Sequence, residues 1–293
     1  MEFLSNYTFD TIINCAAMVK HFGNDDTIYK VNVEGVQNLV NFCVKNNKKL
    51  IHVSTASVAG SCMEGDAIEK ETINESVLNI GQDISNKYVH TKFLAEEAIL
   101  TAVTNNKLKA KIVRVGNLMS RYSDGEFQIN SIENAFMKRL KAYKIMKVFP
   151  MSLMDEPVEF SPIDCVAETI VRLSETNDEF TLFLSCNEHY VQMGDVIYAM
   201  DNIGFDINVV SEEEFNKVLF SYMDDDKKND DVSVLISYNQ DEKKKTVFIG
   251  YDSKFTTKAL YRIHYRWPIV TEDYIEKSLS ALKTLGYFDK NLM

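Results

Sequence analysis

Short apolar runs alternate with amphipathic helical stretches along the first 116 residues, and this alternation limits the chain to few folds. Phe9-Asp10-Thr11-Ile12-Ile13-Asn14-Cys15-Ala16-Ala17 reads as a buried strand that ends in small residues and runs into a loop. Residues 32–45 place Val33, Val36, Leu39, Val40, Cys43 and Val44 at helical spacing on one apolar face. Residues 50–54 are the next strand, and residues 87–103 a second amphipathic helix with Phe93, Leu94, Ala98 and Leu100 toward a core. Residues 110–115 form a third strand, closed by Gly116-Asn117. Strand, helix, strand, helix, strand at this pitch implies right-handed crossovers and a parallel sheet, hence an α/β chain.

Beyond residue 116 the order is less regular. Residues 130–147 read as a basic helix or helix pair, and the stretch from Pro157 to Pro162 as a strand returning to the sheet. A helix at 163–174 and a strand at 181–185 follow. Residues 190–293 read as mostly helical, broken by a polar exposed loop at 224–231. The expected organisation is therefore a sheet domain over 1–122 and a smaller, mostly helical substrate lobe over 123–293, with 158–188 returning to the first.

Composition removes several functions. The formal net charge of −11 argues against a general nucleic-acid binder. No apolar run reaches the length of a membrane span, so no membrane segment is expected. The five cysteines are scattered and show no C-x-x-C spacing, which fits reduced thiols in a cytoplasmic protein. The five histidines show no H-x-H or H-E-x-x-H spacing, so no metal site is expected.

Three segments carry candidate chemistry. Tyr88 and Lys92 stand four residues apart and share a helix face, where an ammonium would lower the phenol's pKa and ready it for proton exchange. The spacing is weak alone: among 14 tyrosines about one Y-x-x-x-K arises by chance, and Tyr143 to Lys147 is a second match. Ser54-Thr55-Ala56-Ser57-Val58-Ala59-Gly60 sits at the C-terminal end of a strand, where ligands of open α/β sheets bind. A hydroxyl there can hold a carbonyl oxygen beside the tyrosine. Finally, Ala16, Ala17 and Met18 follow the first strand, and Asn32-Val33-Glu34-Gly35 opens the next helix; small residues there let backbone approach a cofactor.

The order small-residue turn, N-x-x-G helix, hydroxyl strand end, Tyr-x-x-x-Lys resembles the extended branch of the short-chain dehydrogenase/reductase superfamily. Aligned on that branch, Thr55 is the catalytic hydroxyl and Ser57 its close competitor. A narrower resemblance rests on Arg114-Val115-Gly116-Asn117-Leu118-Met119, Ser123-Asp124-Gly125-Glu126-Phe127-Gln128, Val158-Glu159-Phe160-Ser161-Pro162-Ile163-Asp164 and Trp267-Pro268. Together these resemble the terminal thioester reductase domain of nonribosomal peptide synthetases, related to carboxylic acid reductases and fatty acyl reductases.

That resemblance implies a Rossmann-like fold and NADPH- or NADH-dependent reduction of an acyl or peptidyl thioester. The thioester would be carried on the phosphopantetheine arm of a carrier protein. It implies Thr55, Tyr88 and Lys92 as catalytic residues. Ala16, Ala17, Met18, Asn32, Ser54, Gly116 and Asn117, with Tyr88 and Lys92, would bind cofactor. The basic stretch 138–147 offers its charge either to the pantetheine phosphate and an acidic carrier surface or to solvent.

The family opens with a G-x-x-G-x-x-G turn that holds the cofactor pyrophosphate, and no such spacing occurs among the 11 glycines here. The resemblance therefore implies an N-terminally truncated sheet, with the strand at Thr11 becoming an edge and a missing N-terminal fragment completing the site. Three alternatives stay open: a sugar-nucleotide epimerase or dehydratase of the same branch, a non-catalytic remnant that docks a carrier protein, and a split enzyme completed by a second chain.

Overall fold

The computed structural model describes residues 7–19, 26–63, 65, 68, 71–105, 107–127, 134–177, 181–223, 232–235, 246–248 and 250–289. The loop expected at 224–231 and Gln128 lie outside them. The chain divides into two compact units. The first joins Met1–Gly116, Val166–Cys186 and Thr246–Arg266; the second joins Asn117–Cys165, Asn187–Lys245 and Trp267–Met293.

In the first unit the apolar runs become parallel strands. β1 (Thr11–Asn14) pairs with β2 (Lys49–Thr55). A helical turn at Thr27–Tyr29 and a π-helical turn at Lys30–Glu34 lead into α1 (Gly35–Asn46) between them. α2 (Lys87–Thr104) connects β2 to β3 (Lys109–Val115). The helical segment thus begins five residues before Asn32, because polar residues interrupt the apolar period of its first turns. The core joins Val36, Val40 and Cys43 of α1 to Ala95 and Ile99 of α2 and to Leu50, Ala110 and Ile112 of the sheet. Contiguous burial of this kind is what drives helix onto sheet.

The second unit begins after Gly116. α3 (Ala135–Met146) packs Met137, Leu140, Tyr143 and Met146 into a core that includes Phe149, Phe160, Met193 and Ile197. The densest basic segment keeps much of its charge inside this unit. Arg139 meets Glu156 at 2.5 Å, Lys144 donates to the carbonyl of Phe288 at 2.9 Å, and Lys147 meets Asp206 at 3.0 Å.

The stretch from Pro157 to Pro162 does not return to the sheet. It forms two two-residue strands, Pro157–Val158 against Val191–Gln192 and Ser161–Pro162 against Leu118–Met119. A proline lacks the N–H that an interior ladder requires, so such a segment stays in short pairings. The return comes later, through α4 (Ile163–Glu175) and β4 (Leu182–Ser185). β4 pairs with β3, completing the sheet order β1-β2-β3-β4, with β1 at one end.

Most of the described residues between 190 and 293 are helical, as expected. α5 (Met193–Asn202), α6 (Glu212–Met223), α7 (Lys254–Arg262) and α8 (Glu272–Thr284) are joined by short strands. Thr246–Phe248 and Gly250–Tyr251 pair with Ser61–Met63 and Thr72–Ile73, which places this segment with the sheet rather than with the helical lobe. α7 supplies Thr256, whose hydroxyl accepts the N–H of Leu184 at 2.8 Å on the β4 edge. An edge donor is thereby satisfied within the chain. Among the described residues no helix is long and apolar enough to cross a membrane, and no cluster of His, Cys, Asp or Glu could hold a metal ion.

Candidate active site

β2 ends at Thr55, which remains extended while its hydroxyl accepts the N–H of Ser57 at 3.1 Å and caps a tight turn over Ala56–Ala59. The chain leaves that turn at Gly60, whose φ is +68°. A Cβ there would lie 2.5 Å from the carbonyl oxygen of Asp83. Glycine allows this approach, and the two strands of chain clasp beyond it. Ser61 N–H donates to Asp83 O at 3.1 Å, and Asp83 N–H returns the bond at 2.7 Å. Gln82 adds a bond from its side-chain amide to Val58 O at 3.0 Å.

The segment leading into α2 is thus tied to the hydroxyl turn. Asn86 caps the helix by accepting from the N–H groups of Tyr88 and Val89, at 3.0 and 3.2 Å. Tyr88 therefore stands in the first turn, half-buried, and its phenol hydrogen-bonds the Thr55 hydroxyl. Burial is the larger influence and raises the Tyr88 pKa above its ordinary value; the bond to Thr55 acts in the opposite direction. Ser57, exposed, lies one hydrogen bond further out, its Oγ 3.1 Å from Thr55 Oγ1.

Lys92 lies one turn further along α2, 2% exposed. Its Nζ is 3.0 Å from His52 Nε2 and donates to Val53 O at 2.7 Å. Burial lowers its pKa to about 8 against the opposing pull of Glu96 and Cys15. The expected lowering of the Tyr88 pKa by Lys92 is not what the site shows. The phenol shifts upward, because desolvation outweighs its hydrogen bond and the Lys92 Nζ is held on β2.

Glu96, a further turn on, is fully buried and gripped by Arg114 of β3 through both carboxylate oxygens, with the shortest contact 2.7 Å. Asn14 stands opposite His52 in the β1–β2 register, its side-chain amide 3.0 Å from His52 Nδ1.

Asn32 has no exposure, and its amide is fully engaged. It accepts the N–H of Met18 at 2.8 Å, donates to Met18 O at 3.0 Å, and donates to Thr91 Oγ1 at 3.0 Å. Thr91 in turn donates to the carbonyl of Tyr88 at 2.9 Å. Asn32 therefore fastens the loop after β1 to the turn of α2 that carries Tyr88, leaving Ala16 and Ala17 exposed on that loop. Ser54 is 2% exposed, and its hydroxyl is the one buried side-chain polar atom without a partner among the described residues. Gly116 donates to Ser185 O at 3.3 Å. Asn117 belongs to the second unit, where its N–H reaches Glu159 Oε2 at 2.5 Å and its carbonyl accepts from Ser161.

Sequence reasoning overlooked His52, Glu96, Arg114 and Glu159. The first three have a readable signal: a charged or titratable residue inside an otherwise apolar strand, or on the stripe that Tyr88 and Lys92 define at four-residue steps. Glu159 lies inside a segment picked out for resemblance rather than for its carboxylate.

The family described as Male sterility protein, an NAD-binding family, matches residues 3–170. The chain belongs to this family of extended short-chain dehydrogenase/reductases. It is similar to a thiolation-reductase di-domain from an archaeal nonribosomal peptide synthetase, with 35% identity and a TM-score of 0.87 over 98% of this chain. The chain spans 60% of that protein's length. The reductase domain of the aureusimine biosynthetic cluster is similar at 26% identity and a TM-score of 0.80, covering 94% of this chain and 70% of that one. A UDP-glucuronic acid 4-epimerase from Bacillus cereus shares the fold at 16% identity and a TM-score of 0.61, covering 97% of this chain and 77% of the epimerase. No curated protein matches the chain.

The residues present fit the nicotinamide end of a dinucleotide. An exposed loop of small residues, a buried hydroxyl without a partner at Ser54, and the Thr55, Tyr88 and Lys92 trio lie on one unit. A glycine-rich pyrophosphate turn is not in the sequence.

Proposed function

We propose that this chain carries the proton-delivering part of an NADPH- or NADH-dependent reductase acting on an acyl or peptidyl thioester held by a carrier protein. The hydrogen bond between Thr55 and Tyr88 carries this reading. It sets two hydroxyls side by side at a strand end, the arrangement that can stabilise a carbonyl oxygen as it gains charge. The 35% identity to a thiolation-reductase di-domain supports the substrate class.

The nicotinamide cofactor, when bound, supplies hydride to the thioester carbonyl carbon. Thr55 and Tyr88 hydrogen-bond the oxygen as charge develops, and Tyr88 gives it a proton. The hemithioacetal then expels the carrier's thiol and leaves an aldehyde, the end product of a two-electron reaction or the substrate of a second reduction to the alcohol. Lys92, Ser54 and the loop of Ala16, Ala17 and Met18 would hold the nicotinamide ribose. Asn32 keeps that loop in place, and Gly116 and Asn117 close the neighbouring strand.

The pyrophosphate must be held by groups this sequence does not supply, so the 293 residues alone bind the cofactor poorly. Calorimetry checks this: micromolar NADPH binding by the isolated chain would overturn it. The reaction is tested by joining the chain to a glycine-rich N-terminal part from a relative and offering carrier-bound acyl thioester with NADPH. Release of aldehyde or alcohol supports the reading. Turnover of a UDP-sugar with no reduction of the thioester would replace it with a sugar-nucleotide activity.

A further inference from the structure

We infer that His52 is a positioning residue that favours the uncharged amine of Lys92 in the free protein, through hydrogen bonds whose direction is set at the backbone N–H of Ala16.

A peptide N–H can only donate. The Ala16 nitrogen lies 3.2 Å from Asn14 Oδ1, so the carbonyl side of the Asn14 amide faces Ala16 and its NH₂ faces the imidazole. That NH₂ is 3.0 Å from His52 Nδ1 and has no lone pair to offer, so Nδ1 accepts. A neutral imidazole carries one ring proton, which is then on Nε2, 3.0 Å from Lys92 Nζ. An ammonium has no lone pair to receive that proton; an amine has one. Val53 O, at 2.7 Å, accepts one of the two N–H groups that remain on the amine.

The surroundings agree. Asn14 is 7% exposed, His52 0% and Lys92 2%. Burial disfavours charge there. Burial, the larger influence, holds the His52 imidazole well below its ordinary range, so the ring is neutral. The titratable groups that act on Lys92 are Glu96 on its own helix, His52 on β2 and Cys15 after β1. Glu96 would favour the ammonium, but Arg114 grips both of its oxygens.

The arrangement has a consequence for the site. For Lys92 to take up a proton, the His52 proton must move to Nδ1 and the Asn14 amide must turn, which releases the Ala16 N–H into the exposed loop. The relevance of this coupling to reduction rests on the function proposed above; the placement of the protons does not.

The test is long-range proton–nitrogen NMR of the 293-residue chain labelled at histidine and lysine, at about pH 9.5, where the uncharged amine predominates, and without cofactor or thioester. In the wild type, His52 Nδ1 should resonate as unprotonated and Nε2 as protonated. Asn14→Asp leaves only acceptors facing both Ala16 and His52, so it should reverse the tautomer and strengthen proton binding at Lys92 Nζ about tenfold or more. A wild-type imidazole with its proton on Nδ1, or on both nitrogens, overturns the inference. So does a folded Asn14→Asp chain that keeps the wild-type tautomer. If that variant does not fold, the wild-type spectrum decides alone. Because no turnover is read, failure here and failure of the reductase reading are separate results.

Discussion

The Thr55 hydroxyl at the end of β2 hydrogen-bonds the Tyr88 phenol in the first turn of α2. If this pair protonates the substrate oxygen, Tyr88→Phe in the completed reductase should lower turnover by roughly 10²-fold or more. Thr55→Val should also lower kcat. Ser57→Ala should leave it within a few-fold, since Ser57 is exposed and its Oγ accepts from the Thr55 hydroxyl at 3.1 Å. Steady-state oxidation of NADPH measures all three, and a near-wild-type rate for Tyr88→Phe would remove it from the mechanism.

Glu96 and Arg114 have no exposed side-chain surface and form a bidentate pair. Glu96→Ala should destabilise the chain by about 3–5 kcal/mol, because it leaves a buried guanidinium with its principal partner gone. Replacing both residues with apolar side chains of similar volume should restore much of the loss. Urea unfolding of the single and double variants reads the difference.

Asn32 satisfies both backbone groups of Met18 and the hydroxyl of Thr91. Asn32→Ala should lower stability by about 1–3 kcal/mol, since buried polar groups lose their partner. Amide hydrogen exchange at Met18 should accelerate by more than it does in strand β3, which would locate the effect in the loop.

Burial raises the Glu159 carboxyl from 4.5 to about 7 in the folded chain, against hydrogen bonds from Ser161 and from the Asn117 and Asn187 backbone. The folded state therefore holds a proton that the unfolded state has released. This contribution to stability is fully present below about pH 4.5 and is lost as pH rises through about 7. At full size it is on the order of 3 kcal/mol. Unfolding measured across that window should show this slope in the wild type and not in Glu159→Gln.

Gly60 combines a φ of +68° with a clash-limited approach to Asp83 O. Gly60→Ala should destabilise by more than about 1 kcal/mol, because alanine neither adopts that backbone geometry cheaply nor fits the 2.5 Å gap. The same change should reduce turnover of the completed enzyme, as it displaces the segment that brings Tyr88 to Thr55. Wild-type stability by calorimetry would contradict this account of the turn.

The fold was legible where periodicity is strong. The strands around Ile12, Ile51 and Val113 and the helix from Lys87 onward appear within a few residues of their expected bounds. Short pairings were not legible. Pro157–Val158 and Ser161–Pro162 carry too few residues for a period, and Thr246–Phe248 is assigned by its partner Ser61–Met63 rather than by its own pattern. At the site, spacing put Tyr88 and Lys92 on one helix face. It did not show that Lys92 turns to His52, because that contact depends on how the helix lies on the sheet.

Local rules alone determined the alternation of strand and helix, the hydroxyl turn after β2 and the four-residue step from tyrosine to lysine. Each follows from backbone geometry within a few consecutive residues. The hydrogen bond of Thr55 with Tyr88, the pairing of Glu96 with Arg114 and the alignment of Asn14 with His52 were decided only by the tertiary structure. They depend on strand register and on helix-to-sheet packing, which bring together residues remote in the chain and remove the water that would otherwise satisfy them.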